Sequence, residues 1–190
     1  MPAILSVIIP CNGEDLPVVD TLSPLVSGAA SGVISEVLLV DRASSDVIAR
    51  VADVAGCGYI AFSGSQSAAM AVGAARARAR WLMFLHAGTV LDTGWGDEVA
   101  GFIERTSNYG KPRAAIFRPA PSPYAEPGLR ETMKKLLRAI SKPSPDQGLL
   151  IARDHYAKIG GHTDGSRAEA RLFNKLGKGL TLLRSRIVIP

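Results

Sequence analysis

Four short apolar runs in the first half of the chain are each followed at once by polar residues that could do chemistry. These polar segments are residues 10–14, 41–42, 64–65 and 86–89. In an open parallel sheet a ligand binds beyond the carboxyl ends of the strands, so the four segments are candidates for the lining of one crevice. Together they offer carboxylates, a guanidinium and an imidazole, which bind ions and transfer protons.

Asp41 is a leading candidate because it directly follows the apolar residues 37–40. A buried carboxylate is costly to leave without a partner. Asp41 therefore either bonds a hydroxyl or a base edge of a ligand, or caps the next helix. Its place at the end of a strand favours the ligand.

Several ligand classes are disfavoured because their motifs are absent from the sequence. No Gly-x-Gly-x-x-Gly follows the first strand, which argues against a nicotinamide or flavin enzyme, and no P-loop ends in Gly-Lys-Ser/Thr. Residues 64–67 are a weak phosphate-loop candidate, since Gly and Ser also begin helices without any anion. The three histidines lack the spacing of metal ligands.

Two basic stretches are better explained as solvated helix surfaces than as nucleic-acid sites. Of Arg76, Arg78 and Arg80, only the first and the last share a helix face, and no aromatic residues interleave to stack bases. Residues 129–140 predict a basic amphipathic helix, for which a peripheral membrane contact remains open. We therefore expect no nucleic-acid partner.

The elements that position these residues alternate between strand and helix over the first hundred residues. β-Branched and apolar runs predict strands at residues 4–9, 34–40, 59–62 and 81–85, the first of them stopped by Pro10. Such alternation is typical of an α/β fold with a mostly parallel sheet and covering helices.

Helices are predicted between these strands. The first covers residues 15–28, with Asp15 as its N-cap and a kink or an early end at Pro24. The second is capped by Ser44 or Ser45, ends at Gly56 and carries an apolar face of Val47, Ile48, Val51 and Val54. The third covers residues 66–78 and is rich in alanine.

Beyond residue 89 the alternation loosens. Helices are predicted at residues 94–106, 154–159 and 167–176, and strands at 114–117, 148–152 and 180–189. Residues 119–127 contain four prolines and predict an irregular connection.

Composition limits the class of protein. A chain of 190 residues with 47% hydrophobic and 21% charged residues predicts one globular domain over residues 1–190. No apolar run is long enough to span a bilayer, and Cys11 and Cys57 are too few for a disulfide framework, so we expect a cytoplasmic chain. The net charge of +5 favours an anionic partner.

Four segments of the sequence resemble the successive landmarks of family 2 glycosyltransferases of the GT-A fold. They are LSVIIPCNGEDLP, EVLLVDRASSD, SQSAAMAVGAARARARWLMFLHAGTVLDTGW and DQGLLIARDHYAKIGG. The resemblance implies transfer of a sugar from a nucleotide-diphospho-sugar donor to an acceptor that the sequence does not identify. It also implies a nucleotide-binding half over residues 1–90 and an acceptor-side half over residues 91–190.

The resemblance assigns roles to individual residues. Asp146 and Gln147 take the acceptor-side positions, Glu169 takes the place of the catalytic base, and His86 is a weak candidate metal ligand. The nucleotide pocket is expected to be lined by Pro10, Asn12, Glu14, Asp41 and Arg42.

Departures from the family pattern leave a second function open. Such enzymes usually use Mg²⁺ or Mn²⁺, but Gly88 stands where the metal-binding aspartate is expected and offers no side-chain oxygen. Gly13 replaces an acid, Arg42 replaces a glycine, and Ala168 replaces one acid of the base pair. Either cations such as Arg42 neutralise the donor, or the chain is a non-catalytic homologue that binds a nucleotide or a protein partner.

Overall fold

One eight-stranded sheet runs through the computed structural model, which describes residues 4–109, 114–120, 143–165 and 167–189. In spatial order the strands are β3, β2, β1, β4, β7, β6, β8 and β5. Parallel pairs join β3 to β2, β2 to β1, β1 to β4 and β6 to β8, whereas β7 is antiparallel to both of its neighbours and β5 is antiparallel to β8. The strands are β1 (Leu5–Cys11), β2 (Ile34–Asp41), β3 (Gly58–Ala61), β4 (Trp81–Phe84), β5 (Val90–Leu91), β6 (Ala114–Ala120), β7 (Leu149–Ala152) and β8 (Leu180–Val188).

Helices connect the strands as the periodicity predicts. The helices are α1 (Asp15–Leu22), α2 (Leu25–Ala30), α3 (Asp46–Ala55), α4 (Gln66–Arg76), α5 (Trp95–Tyr109), α6 (Arg153–Lys158) and α7 (Ala168–Leu176). The sequence did not predict the short strand β5 or the two 3₁₀ turns, Pro145–Gln147 and Gly177–Gly179.

Helices cover both faces of the sheet, which confirms the predicted α/β architecture. Side chains alternate along β1, so Val7 faces one apolar cluster and Ile8 the other. The first cluster includes Ile48 of α3 and the fully buried Trp95 of α5. The second includes Met70 of α4 and residues of α6 and α7.

The prediction that Pro10 stops the first strand is wrong, because β1 continues through Pro10 to Cys11. The carbonyl of Ile8 accepts from Leu85 on the β4 side, and that of Cys11 accepts from Arg42 on the β2 side. The backbone nitrogen of residue 10 therefore faces the β4 side, beyond the last β1–β4 pair. Since no strand remains there to accept a bond, the missing N–H of proline costs nothing.

The prediction that Pro24 interrupts the first helix is confirmed. The segment divides into α1 and α2, with Pro24 as the N-cap of α2. The N-cap of α1 is Glu14 rather than Asp15, whose carboxylate instead accepts from the N–H of Leu16.

The predicted apolar face of α3 is partly wrong. Ile48 and Ala52 are buried, whereas Val54 is 89% exposed. Val54 lies about 200° around the helix from Ala52, on the opposite side.

Two predicted features lie outside the described residues: the basic amphipathic helix over residues 129–140 and the proline-rich connection beyond residue 120. Pro119 and Ala120 themselves end β6, which is three residues longer than predicted. No helix among the described residues is long and apolar enough to cross a membrane.

Candidate functional site

Asp41 ties together the loops that follow β1 and β2. Its carboxylate is fully buried and accepts from four donors. One oxygen accepts from the N–H groups of Gly13 and Ala43, both at 3.1 Å, and the other from the N–H of Ser45 at 2.5 Å and the hydroxyl of Tyr59 at 3.4 Å. These four bonds use all the lone pairs of the carboxylate, so Asp41 holds the loops in place. Its contact with a nucleotide stays a prediction.

The other residues predicted for the nucleotide pocket lie at the same edge of the sheet. Pro10 is buried within β1, whereas Asn12 and Glu14 are exposed just beyond it. Arg42 is half-buried, and its Nε donates to the carbonyl of Gly64 at 3.0 Å, which links the loops after β2 and β3. The structure therefore brings these residues to one edge, where the exposed ones are accessible to a ligand.

A tight turn after β4 fixes the position of His86. The N–H and the hydroxyl of Thr89 both donate to the carbonyl of His86, at 3.1 and 2.7 Å. Gly88 has φ +93°, a conformation that favours glycine. The backbone of this turn therefore disfavours the aspartate that the family pattern has at this position. The N–H of Gly88 donates to the carbonyl of Pro17 and to the buried hydroxyl of Thr21, which fastens the turn to α1.

His86 lies between two carboxylates that come from distant parts of the sequence. Its Nδ1 is 3.1 Å from Oδ1 of Asp146, and its Nε2 is 3.1 Å from Oε2 of Glu169. Gln66, the first residue of α4, donates from Nε2 to Oε1 of Glu169 at 3.3 Å and lies 3.2 Å from Nε2 of His86. We call these four residues the His86 cluster.

The His86 cluster is charged at neutral pH. Burial alone would lower the pKa of His86, but the hydrogen bonds and charges of Asp146 and Glu169 raise it to about 9. The hydrogen bond from His86 lowers the pKa of Asp146. Burial alone would raise the pKa of Glu169, but His86 and Gln66 lower it. An imidazolium therefore holds two ionised carboxylates, and both of its nitrogens donate.

The neighbouring residues position Asp146 and Glu169. Gln147 is buried, its amide oxygen accepts from the N–H of Ser144 at 2.7 Å, and its amide nitrogen donates to the carbonyl of Phe117 at 3.0 Å. The 3₁₀ turn contains Asp146, and Gln147 attaches this turn to β6. Its predicted contact with an acceptor stays a prediction.

The loop before α7 is fastened at two points. The hydroxyl of Tyr156 bonds Nδ1 of His162 and accepts from the N–H of His162, both at 2.9 Å. Burial lowers the pKa of His162 to about 4, so this imidazole is neutral and accepts from the tyrosine. At its outer end, Asp164 accepts from the hydroxyl of Ser65 at 2.5 Å. Both contacts hold the segment that leads into Glu169.

Three members of the cluster have separate roles in the resemblance: His86 as a metal ligand, Asp146 as an acceptor-side residue and Glu169 as a base. The structure places all three in one hydrogen-bonded group. Gln66 was missed. The sequence feature that could have indicated Gln66 is its position as the first helical residue after a predicted strand and loop.

The described residues do not form a divalent metal site. None of their groups of His, Cys, Asp and Glu could hold an ion. Both nitrogens of His86 are engaged at opposite sides of the ring, and Gly88 has no side-chain oxygen. Asp92, the next acid along the chain, pairs with Arg186 at 3.6 Å. Mg²⁺ and Mn²⁺ require several oxygen ligands around one point, which these residues do not provide.

Of the comparisons with known proteins, the one with solved structures finds matches. No protein-family model matches the chain, and no curated protein matches it. Among solved structures, GalNAc-T7 with UDP, GalNAc and Mn²⁺ matches 99% of this chain with a TM-score of 0.66 and 14% identity. S. aureus TarS matches 96% of it with a TM-score of 0.66 and 13% identity, and TarS 1–349 matches 98% with 0.64 and 13%.

These matches show that the chain has the GT-A glycosyltransferase fold, as the sequence predicted. At 13% to 14% identity they show the fold alone. The chain spans 44% of the length of the GalNAc-T7 chain, and 36% and 58% of the two TarS chains.

Proposed function

We propose that this chain binds a nucleotide-diphospho-sugar donor beyond the carboxyl ends of β1, β2 and β4 and transfers the sugar slowly to an acceptor hydroxyl. The observation that carries the proposal is the meeting of His86, Asp146 and Glu169 at the end of β4 in a GT-A fold. Ligands of open α/β sheets bind at this edge. The nucleoside half of the site comprises Pro10, Asn12, Glu14 and Arg42, and Asp41 contributes to it by holding the loops after β1 and β2 in place.

Glu169 is the base in this proposal. As the acceptor oxygen attacks the anomeric carbon, its proton passes to the carboxylate, the bond from the sugar to the diphosphate breaks, and the nucleoside diphosphate leaves. The side chain of Asp146 is 51% exposed, so it remains accessible to an acceptor hydroxyl. Both oxygens of Glu169 already accept hydrogen bonds, and the lowered pKa makes it a weak base. Transfer is therefore slow.

Charge on the departing diphosphate is neutralised by Arg42, at the end of β2, and by backbone N–H groups of the neighbouring loops. His86 does not contribute to this, because Asp146 and Glu169 already take both of its N–H groups. Preorganised cations and N–H groups stabilise a leaving group when they are aimed at its developing charge. The part of the chain that the structure describes offers no ligand set for a divalent ion like that in the GalNAc-T7 structure. We therefore expect Mn²⁺ to strengthen donor binding by less than about tenfold, or 1.4 kcal/mol.

The proposal treats residues 1–190 as one domain with a donor half and an acceptor half, since a single sheet joins them. It places the protein in the cytoplasm, which two free thiols support.

The second candidate function is nucleotide binding or protein binding without transfer. It is favoured by the same two hydrogen bonds on Glu169, which leave the base occupied, and by glycine at position 88. Nucleotide binding without transfer shares donor binding with the first candidate and differs from it only in turnover, whereas protein binding requires no donor.

Thermal unfolding with a panel of UDP-, GDP- and dTDP-sugars tests donor binding. A ligand at 100 times its dissociation constant adds about 2.7 kcal/mol to the free energy of unfolding. We expect at least one donor to stabilise the parent and the Arg50→Ala control, whose exposed arginine lies on α3. Arg42→Ala should lose most of that stabilisation. If none of these donors stabilises the chain, both sugar transfer and nucleotide binding without transfer are contradicted.

A further inference from the structure

Two arginines stand side by side near the ends of β6 and β8. Arg118 and Arg186 are partners in the parallel register of these strands, and both are exposed. Neighbouring strands lie roughly 5 Å apart, and like charges directly opposite each other in a sheet are destabilising. The fold therefore contains a repulsion at this point, which an anion between the two guanidinium groups would relieve.

The carboxylates of the described residues do not balance this charge. Arg118 has no ion-pair partner among them. Nε of Arg186 is 3.6 Å from Oδ2 of Asp92, which is too long for a hydrogen bond. The N–H groups of both arginines thus remain available, and guanidinium groups bind phosphate and carboxylate oxygens through two parallel N–H bonds.

This arginine pair lies at the same edge of the sheet as the His86 cluster. Strand β6 extends past the start of β7 to reach Arg118, just as His86 follows the end of β4. The amide nitrogen of Gln147 donates to the carbonyl of Phe117, the residue before Arg118. Only β7 separates β4 from β6, so the backbone at Arg118 is about 10 Å, or two strand spacings, from the end of β4.

The arginine pair and Glu169 also lie on the same face of the sheet. Side chains alternate along a strand, and the chain neighbours Phe117 and Ile187 are buried in the apolar cluster that contains Val7. Both arginines therefore face the other side of the sheet, which α4 and α7 cover. Glu169 lies in the first turn of α7. One acceptor molecule can thus place a hydroxyl near Glu169 and an anionic group at the arginine pair.

We propose that Arg118 and Arg186 form a site for an oxyanion, a phosphate ester or a carboxylate, and that the sugar acceptor carries this group. The second part rests on the proposed function, whereas the anion site does not. The distance across β7 requires an acceptor at least as large as a sugar that carries the anionic group. The net charge of +5 favours the same class of ligand.

Titration of glucose 6-phosphate, glucuronate and uncharged glucose into the full chain tests the anion site. We expect one or both charged probes to bind about tenfold more tightly than glucose, or better. Arg118→Gln and Arg186→Gln should lose this preference. Arg50→Gln, the matched control, removes an exposed arginine from α3 and should keep it. Preference for one charged probe over the other decides between a phosphate ester and a carboxylate.

Equal binding of the three probes overturns the anion site, and so does a preference that both glutamine variants retain. Without any probe, Arg118→Gln should unfold at the same temperature as the parent or a higher one, because the like charges are then separated. A clear loss of stability in this variant would show that Arg118 serves the fold instead.

Transfer from a donor that stabilises the chain tests the role of the site in acceptor binding. Arg118→Gln should raise KM for the charged probe about tenfold or more and leave kcat and donor binding unchanged, since the arginine holds a part of the acceptor that does not react. An unchanged KM, or no transfer to a probe that binds, overturns this role. If the charged probes bind but no donor does, the proposed function fails and the anion site stands. If a donor binds but the charged probes do not, the anion site fails and donor binding stands.

Discussion

His86 is held in the chain by two carboxylates rather than by burial alone. At each ring nitrogen the partner oxygen lies 3.1 Å away, which is within hydrogen-bond distance. Only the imidazolium can donate to both carboxylates, so the folded protein binds this proton more tightly than the unfolded chain does. The stability of the protein therefore depends on pH through this residue.

The sign of that dependence follows from the raised pKa. The stabilisation from His86 is fully present below its unfolded value of 6.5 and is lost as the pH rises through about 9. We expect the parent to lose on the order of 2 to 3 kcal/mol from this group between pH 6.5 and 9. His86→Gln should flatten that slope in urea unfolding, while His155→Gln should keep it. A parent whose stability is constant over this range would show that His86 is neutral in the fold.

Asp41 acts on the loops through hydrogen bonds to the backbone. Asp41→Ala leaves the N–H groups of Gly13, Ala43 and Ser45 without their acceptor, so we expect a loss of roughly 2 to 4 kcal/mol in the free energy of unfolding. Asp46→Ala, which removes an exposed acid from the first turn of α3, should cost less than about 1 kcal/mol. If chemical denaturation showed equal, small losses of unfolding free energy in both variants, the loops after β1 and β2 would keep their structure without Asp41.

At the scale of elements, α4 connects three parts of the candidate site. Gly64, just before it, accepts from Arg42, its N-cap Ser65 donates to Asp164, and its first residue Gln66 donates to Glu169. Gly73 lets this helix approach the sheet, since a Cβ there would lie 2.4 Å from the side chain of Ile8. The position of α4 therefore sets the distance between the two halves of the crevice.

Ser65 and Ser45 provide a matched pair for testing this connection. Both cap a helix, since Ser65 accepts from the N–H of Ala68 and Ser45 from that of Val47, so either alanine variant should cost about 1 kcal/mol. Only Ser65 also bonds the loop before α7. Hydrogen exchange in residues 161–165 should therefore become faster in Ser65→Ala and stay unchanged in Ser45→Ala. Equal exchange in both would show that the contact with Asp164 does not hold the loop.

The elements could be predicted from the sequence more fully than the contacts between them. Apolar periodicity located the first four strands to within two residues, and the break at Pro24 followed from its missing N–H. The extension of β1 through Pro10 could not be predicted, because it depends on where β4 ends. The bond from Ser65 to Asp164 spans 99 positions, and no local pattern encodes such a pairing.

At the scale of the whole molecule, one sheet carries both halves of the proposed site. Strand β7 is inserted antiparallel beside β4 and leaves Asp146 next to the end of β4. Asp146 and Glu169 could be predicted from the sequence only through the resemblance to a family. Their contact with His86 could not be predicted, because it forms only when residues 146 and 169 fold back beside residue 86. Gln66 lies within one of the resembling segments, but no role followed from its position there, and its bond to Glu169 spans 103 positions.

Sugar transfer by this chain requires a carboxylate that takes a proton beside a nucleotide-sugar. Its most direct test follows nucleoside diphosphate release from whichever donor stabilises the chain, in the parent and in Glu169→Gln, with water as the acceptor and with or without Mn²⁺. We predict slow release by the parent that hardly responds to Mn²⁺ and falls about 10² to 10⁴-fold in the variant. Equal, background-level release from both proteins would contradict a catalytic role for Glu169 and leave donor binding without transfer.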